Sequence, residues 1–314
     1  MRGFRNWLVL AVITLAVVAA AIAVAVVRDP PHGSTAQAPE AAASGREASA
    51  SSLPARNVVG YWQGWGAPNV PLRDVPRQFN IVMAAFAVGD ATGRVRFTQT
   101  VQSRASFVAD VDALSRAGRR VVLSVGGWND GGLTIASDAQ QAAFLDSVTA
   151  IIDAYHFHGI DWDFEHGLNP ARLADITFQL KAKYGPRFLI TMAPTLDPAH
   201  ERQQFDLGAR IKNVVDMVNI QFYNHPNLTP KFMLDRTLSW GKVVGMAKVG
   251  MGFMTVQTPT DTGIRTPAAV CAMWRSLLTR APEARGVMTW SINLDRTTGH
   301  RFARTCAPVV LSES

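Results

Sequence analysis

Short apolar segments rich in Val, Ile and aromatic residues alternate with amphipathic stretches of helical period from residue 56 to the C-terminus. Eight such segments can be distinguished, at residues 58–62, 80–88, 120–125, 159–165, 188–192, 218–223, 248–253 and 286–291. Segments of this kind predict β-strands, and strands that alternate with helices pair in parallel through right-handed crossovers. Eight such units predict a (β/α)8 TIM barrel, whose typical size is about 250 residues.

An open, doubly wound sheet is the alternative α/β architecture for the same alternation. Such a sheet usually carries a glycine-rich phosphate turn after its first strand, and residues 60–66 do not fit that pattern. The helical stretches have start signals of their own, such as the capping box predicted for Ser137 and Gln140. We therefore expect the barrel, with residues 56–314 as its single domain.

The N-terminal segment predicts export. Residues 7–27 carry no charge and follow Arg2 and Arg5, and this length is enough to span a bilayer core of about 30 Å. Two interpretations stay open. The length slightly favours an uncleaved membrane anchor over a cleaved signal peptide, whose apolar core is ordinarily about 7–15 residues. Positive charge before the segment predicts that this end stays in the cytoplasm.

Residues 28–55 are rich in Ala, Ser, Pro and Gly and have no apolar period. Such a composition cannot bury enough apolar surface to offset its ordering entropy. We expect a disordered linker here, between the anchor or signal segment at residues 1–27 and the barrel domain at residues 56–314. The domain is expected to be extracytoplasmic, either anchored to the membrane or secreted.

Composition limits the classes of partner. The formal net charge is +7, but the basic residues are scattered, whereas nucleic-acid proteins usually present a clustered basic stripe. Nucleic acid is therefore not an expected partner.

Cys271 and Cys306 are a candidate disulfide in an oxidising compartment, with two separate buried thiols as the alternative. Ligand spacing for a metal is not evident, so we expect no metal and no cofactor. The expected oligomeric state is a monomer.

The fourth predicted strand carries three carboxyl groups. Asp161, Asp163 and Glu165 stand at alternate positions, so a strand directs all three to one face. In a barrel that face is the interior, and the C-terminal ends of the strands form the active-site face. Like charges at close range raise one another's pKa, so at least one of the three is expected to hold a proton and to serve as a general acid.

Two other interpretations of these carboxyl groups were weighed. A strand with a solvated acidic face is common in antiparallel sheets, but the helical flanks predict a strand covered by helices. A carboxylate metal site lacks both the glycine-interrupted loop of a calcium hand and a histidine at ligand spacing on a helix. Catalysis is therefore the favoured interpretation.

Five segments together carry a family resemblance. HGIDWDFE at residues 158–165 resembles the DxxDxDxE signature of the family 18 glycoside hydrolases, the chitinase family. The other four resemble its strand-end motifs in the right order: LSVGGW at residues 123–128, ITMAP at 190–194, MVNIQFYN at 217–224 and GVMTWS at 286–291.

The resemblance implies roles for individual residues. Glu165 matches the proton donor, and Asp163 matches the carboxylate that holds the acetamido nitrogen of the substrate. Asp161 matches the inner acid that shares a proton with Asp163, and Tyr223 resembles the phenol that contacts the acetamido carbonyl. The implied substrate-binding residues are Tyr61, Ser124, Gly127, Trp128, Met192, Gln221, Asn224 and Trp290.

Four of these substrate-binding residues have more specific implied roles. Ser124 resembles a hydroxyl bonded to Asp161, and Tyr61 resembles a tyrosine that backs the acids. Trp290 resembles the apolar floor of the sugar site, and Trp128 resembles a stacking platform on the leaving-group side.

Two positions depart from the family pattern. His158 stands where the signature has its first Asp, and Thr195 stands where many chitinases have Glu. The first change is expected to affect strand packing more than chemistry.

Only 32 residues separate Phe253 from Gly286, which leaves no room for the large α+β domain that some members insert there. A shallow cleft and endo-type cleavage are therefore expected.

The resemblance thus implies a chitinase, which the N-terminal segment predicts to be exported or membrane-anchored. Its substrates would be chitin or N-acetylglucosamine oligosaccharides, cut at β-1,4 linkages with retention through the substrate's own N-acetyl oxygen. Two alternatives stay open. One is an endo-β-N-acetylglucosaminidase that acts on N-glycans with the same site chemistry, and the other is a catalytically weak chitin-binding relative.

Overall fold

The computed structural model describes residues 53–167 and 169–312. The predicted anchor or signal segment at residues 1–27, and all but the last three residues of the predicted linker, lie outside the described residues. Across the part of the chain that is described, no helix combines the length and the apolar character needed to cross a bilayer.

Eight parallel strands close into a barrel. They are β1 (Asn57–Gln63), β2 (Ile81–Gly89), β4 (Arg120–Gly126), β5 (Gly159–Asp163), β6 (Leu189–Met192), β7 (Met217–Gln221), β8 (Val249–Phe253) and β9 (Gly286–Thr289). Each strand pairs with the next in this order, and β9 pairs back with β1. The predicted (β/α)8 barrel and its eight strands are therefore confirmed. A short strand that the sequence did not predict, β3 (Val95–Phe97), pairs antiparallel with β2.

Helices connect most of the strands and cover the barrel. They are α1 (Arg104–Arg116), α2 (Asp138–Tyr155), α3 (Pro170–Tyr184), α4 (Pro198–Ile211), α5 (Pro230–Val244), α6 (Pro267–Leu278), α7 (Ile292–Thr297), α8 (Arg301–Thr305) and α9 (Ala307–Ser312). The predicted capping box is present at the start of α2, where Ser137 and Gln140 bond each other's backbone N–H.

Alternate residues of each strand face opposite sides of the barrel wall. On β1, Tyr61 belongs to an inner apolar cluster together with Met83 and Leu189. The next residue, Trp62, belongs to the larger cluster between the strands and the helices. The same alternation on β5 directs Asp161 and Asp163 inward, while Trp162 packs under the helices.

The last residues assigned to the linker pack against the barrel. Leu53 is buried in the inner cluster, and the Pro54 carbonyl accepts hydrogen bonds from Asn57 and Arg285. The packed domain therefore includes residues before Arg56, where the sequence analysis placed its boundary.

The candidate disulfide is not formed. Cys271 and Cys306 are both buried, and their sulfur atoms are not bonded to each other. The Cys271 thiol on α6 instead lies 3.8 Å from the Thr305 carbonyl at the end of α8. The alternative of two separate buried thiols is the arrangement observed.

Candidate active site

The two inward-facing aspartates of β5 and the glutamate that follows lie at the C-terminal end of the barrel. Asp161 and Asp163 are buried, at 0% and 3% exposed, and Glu165 is partly buried. The strand ends at Asp163, so Glu165 stands two residues beyond it rather than within it. The predicted grouping of the three acids is therefore observed.

Asp161 accepts hydrogen bonds from three hydroxyl groups. Tyr61 and Ser124 donate to Oδ2 at 2.7 and 2.8 Å; the resemblance implied the bond from Ser124, and for Tyr61 it implied only a position behind the acids. Thr191, which the sequence analysis missed, donates to Oδ1 at 2.6 Å. Burial raises the pKa of Asp161 and the three hydroxyl donors oppose that rise. Tyr61 stays protonated, because burial and the charge of Asp161 hold the pKa of its phenol well above 10.

Asp163 has a different environment. Its Oδ1 accepts a hydrogen bond of 2.7 Å from the Gln221 amide, which also donates to the Ala193 carbonyl at 2.9 Å. Burial, then the charges of Glu165 and Asp161, raise the pKa of Asp163 well above its usual range. Gln221, for which substrate binding was predicted, therefore holds Asp163 in this structure.

Glu165 is poised to titrate near neutrality. The pKa of its carboxyl is raised from 4.5 to about 7, mainly by burial and to a smaller extent by the charges of Asp130 and Asp261. The charge of His166 and a hydrogen bond with Gln221 act in the opposite direction. A general acid is most effective when its pKa lies near the working pH, so Glu165 suits the role predicted for it.

Tyr223 follows β7 and is partly buried beside the acids. Burial, then the charges of Asp163 and Glu165, hold the pKa of its phenol well above 10. The hydroxyl is therefore a permanent hydrogen-bond donor, as its predicted contact with a carbonyl group requires.

Aromatic side chains from three segments form a cluster next to the acids. Trp290 lies 5.5 Å from Phe86 in a stacked arrangement, 5.7 Å from Tyr61 and 6.5 Å from Trp65, between ring centroids. Trp65 is 41% exposed. Tyr61 and Trp290 were predicted, whereas Phe86 and Trp65 were missed because no local pattern marks them.

Trp128 follows β4, at the end of the LSVGGW segment, and is 69% exposed. The preceding glycine, Gly127, has φ +77° and donates its N–H to the Asp163 carbonyl at 2.7 Å. A Cβ at Gly127 would lie 2.7 Å from the Phe86 ring. A residue with a side chain would therefore clash with Phe86 at this position. His166 lies edge-on to Trp128, with ring centroids 4.8 Å apart and Nε2 3.0 Å from the Trp128 carbonyl.

Two predicted substrate-binding residues have other positions. Met192 is 2% exposed and packs in the outer cluster, because Thr191 takes the inward position on β6. Asn224 is exposed, but its amide bonds Asp261 at 2.9 Å and the Thr262 N–H at 2.8 Å. Met192 thus faces away from the site, and Asn224 ties the loop between β8 and α6 to the end of β7.

The two departures from the family pattern lie apart from the carboxyl groups. His158 precedes β5, where its Nδ1 lies 3.0 Å from the Val121 N–H, and burial lowers its pKa. His158 therefore contacts β4, which agrees with the expected effect on strand packing. The Thr195 hydroxyl lies 3.2 Å from Gln204 Nε2.

A cavity of about 650 Å³ is lined by residues 224–229, 262, 263 and 265. None of the three carboxyl groups lines this cavity. Among the described residues, no group of three or more His, Cys, Asp or Glu side chains is arranged to hold a metal ion.

The model of the glycosyl hydrolases family 18 matches residues 57–272. Exochitinase 1 of Streptomyces olivaceoviridis is 28% identical, over 84% of this chain and 57% of its own length. Endochitinase 4 of Metarhizium robertsii is 25% identical, over 79% of this chain and 87% of its own length.

Solved structures agree with these matches. A family GH18 chitinase from Chromobacterium violaceum superposes with a TM-score of 0.72 at 26% identity, over 82% of this chain and 84% of the other. The chain spans about three fifths of the length of several bacterial chitinases that it matches.

Proposed function

The chain belongs to glycosyl hydrolase family 18, and on that basis we propose that it is a chitinase that hydrolyses β-1,4-linked N-acetylglucosamine polymers. One observation carries the proposal. Glu165, with a pKa of about 7, stands beside a buried Asp163 whose pKa is also raised. This pairs a proton donor with a neighbouring acid able to hold the acetamido group of the substrate.

The proposed reaction uses the substrate's own N-acetyl group as the nucleophile, which sets this family apart from most retaining glycosidases. Glu165 protonates the glycosidic oxygen as the acetamido oxygen attacks the anomeric carbon. Asp163 holds the acetamido nitrogen, and the Tyr223 hydroxyl contacts the acetamido carbonyl. Glu165 then deprotonates a water molecule that opens the cyclic intermediate, so the anomeric configuration is retained.

The aromatic residues supply flat apolar faces for sugar rings. We assign Trp290, backed by Phe86 and Tyr61, to the sugar that reacts. Trp128, which is 69% exposed, is assigned to the leaving-group side. An exposed platform of this kind suits a linear chain of sugars, and this favours chitin over an N-glycan.

We propose an endo mode of cleavage. Phe253 and Gly286 are separated by 32 residues, and α6 takes up Pro267–Leu278 of them. This connection is therefore too short to form a large domain beside the site, so a long polymer can bind across the site. The names of the relatives include both an exochitinase and an endochitinase, so the mode has to be measured. Release of only disaccharides from the start of the reaction on a soluble polymer would exclude endo cleavage.

Export is part of the proposal. Residues 7–27 carry no charge and follow two arginines, which suits a membrane anchor or a signal segment. The catalytic domain would then work outside the cytoplasm, where the polymer is found. Fractionation of cells that express the full-length chain, followed by N-terminal sequencing of the recovered protein, distinguishes the anchored form from the cleaved form.

The decisive experiment compares the full-length chain with its Glu165→Gln variant on chitin oligomers and on an N-glycoprotein. We expect the unmodified chain to cut the oligomers and the variant to lose at least about 99% of that rate, because no proton donor is left. Equal rates for the two proteins would remove Glu165 from the mechanism. Activity on the glycoprotein alone would replace the chitinase assignment with an endo-β-N-acetylglucosaminidase.

A further inference from the structure

Asp161 lies in a row of side chains that crosses three neighbouring strands. The register pairs Asp161 with Ser124 on β4 and with Thr191 on β6, so the two hydroxyl groups flank the carboxyl group inside the barrel. Tyr61 reaches the same carboxyl group from β1. Ser124, Asp161 and Thr191 have no exposed surface, and Tyr61 is 1% exposed.

Each of these hydroxyl groups has one proton to donate. Thr191 has one further neighbour among the described residues that could accept its proton, Met83 Sδ at 3.9 Å, and a thioether is a weak acceptor. An ionised carboxylate has about four acceptor sites, so it can take all three donors. No Lys, Arg or His is among the described groups that act on Asp161. Hydroxyl groups, rather than a cation, therefore balance its charge.

Asp163 is poorer in donors than Asp161. The Gln221 amide is its side-chain donor, whereas Asp161 has three. Asp163 also faces the charges of both Glu165 and Asp161. Buried carboxyl groups that share a proton ionise where the donors are most numerous.

We propose that Thr191 is a positioning residue whose hydroxyl, together with Tyr61 and Ser124, keeps Asp161 ionised and thereby places the shared proton on Asp163. This inference rests on the proposed substrate-assisted reaction, in which Asp163 uses that proton state to hold the acetamido group. Thr191 does not touch the sugar. It acts through Asp161.

The proposal predicts a specific pH effect. The titratable groups that interact with Asp161 are Tyr61 from β1, Tyr223 after β7 and Asp163 from its own strand, and Asp163 in turn faces Glu165. The flanking strands present only the neutral side chains of Ser124 and Thr191. Loss of the Thr191 donor destabilises ionised Asp161, so the pair takes up its second proton at a higher pH.

The test compares Thr191→Val with Thr191→Ser in the full-length chain on N-acetylglucosamine oligomers. For the valine variant we expect the acid limb of the kcat/KM profile to move up by about one pH unit, with a roughly tenfold loss of kcat/KM at acid pH. The serine variant should keep both within about twofold. A valine variant with an unmoved acid limb overturns the proposal, because a purely structural defect lowers the rate without shifting the profile.

Thr237→Val is the matched control. It removes another fully buried hydroxyl, which bonds the Met233 carbonyl within α5 at 2.8 Å, and it should leave the profile unchanged. If Thr191→Val does not fold, Thr191→Ala against Thr191→Ser makes the same comparison.

A second measurement separates this inference from the proposed function. Titration of ¹³C-labelled aspartate carboxyl groups by NMR needs no substrate. A higher titration point for Asp161 in the valine variant supports the role of Thr191 even in a chain that fails to cut chitin oligomers. An unchanged titration overturns it even in an active chitinase.

Discussion

The Gln221 amide bonds Asp163 Oδ1 at 2.7 Å inside the barrel, and the same nitrogen bonds the Ala193 carbonyl at 2.9 Å. The two hydrogen bonds fix the end of the Gln221 side chain. The amide in turn holds the Asp163 carboxyl group, which is proposed to bind the acetamido nitrogen.

Gln221→Leu is expected to lower kcat about 10- to 100-fold with a smaller change in KM. The leucine fills the space but leaves a buried carboxyl group without its donor, a loss of about 1–3 kcal/mol. Steady-state kinetics on chitin oligomers measure the effect. Gln179→Leu, on the exposed surface of α3, is the control and should behave like the unmodified chain. A kcat for Gln221→Leu within twofold of normal would contradict the assignment.

The alkaline limb of kcat/KM should lie near pH 7. Glu165 must be protonated to act as the acid, and burial raises its pKa to about 7, so activity falls as the pH rises through that value. A rate profile between about pH 4 and pH 9 measures this limb. An alkaline limb near the ordinary glutamate value of 4.5 would assign the proton donor to another group.

Glu165→Gln should stabilise the protein at pH 8 and change its stability little at pH 4. The folded pKa of Glu165 is raised above the unfolded value, so the stability contributed by the protonated carboxyl is full below about 4.5 and is lost as the pH rises through about 7. Thermal unfolding at the two pH values measures the difference. An equal Tm shift at both would show that the raised pKa is not a property of the folded chain.

His166 is expected to set both the position of Trp128 and the upper pH limit of activity. In His166→Asn the charge that lowers the pKa of Glu165 is gone, so the alkaline limb should move to higher pH. KM for long oligomers should rise severalfold, because the ring that lies against Trp128 is lost. His156→Asn is the control, since His156 is exposed and has φ +57°, which Asn tolerates. An unmoved limb would assign no electrostatic role to His166.

Asn224→Asp should loosen the loop between β8 and α6. The substitution keeps an acceptor for the Thr262 N–H but places a carboxylate against Asp261, and like charges at hydrogen-bond distance repel. We expect a loss of stability of about 1 kcal/mol and faster hydrogen exchange in residues 255–265. Exchange that matches the unmodified chain would mean that Asn224 does not hold this loop.

The sequence predicted the parts of the site that depend on one segment. Alternation along β5 is sufficient to direct Asp161 and Asp163 inward, and neighbouring motifs identified Tyr223 and Trp290. Thr191 was missed because its contact depends on the register between β5 and β6, which no single segment encodes. Phe86 and Trp65 were missed for a similar reason, since the barrel brings their distant segments together.

Two of the predicted substrate-binding residues make contacts that their motifs do not encode, for physical reasons of the same kind. Met192 was grouped with the site because its motif lies at a strand end. Thr191 faces inward, however, and because neighbouring residues of a strand face opposite sides, Met192 faces outward. Asn224 was assigned to substrate because of its motif, but a loop residue, Asp261, takes its amide. A short motif identifies a strand end more reliably than it identifies what each side chain contacts.

Tyr61 joins two parts of the site that an engineer would want to change separately. Its ring lies 5.7 Å from Trp290, and its hydroxyl bonds Asp161 at 2.7 Å. A redesign of the aromatic floor for a different sugar would move this ring, and with it the donor that Asp161 depends on. Substrate range and acid–base chemistry are therefore not independent traits in this barrel, and variants selected for one should be screened for the other.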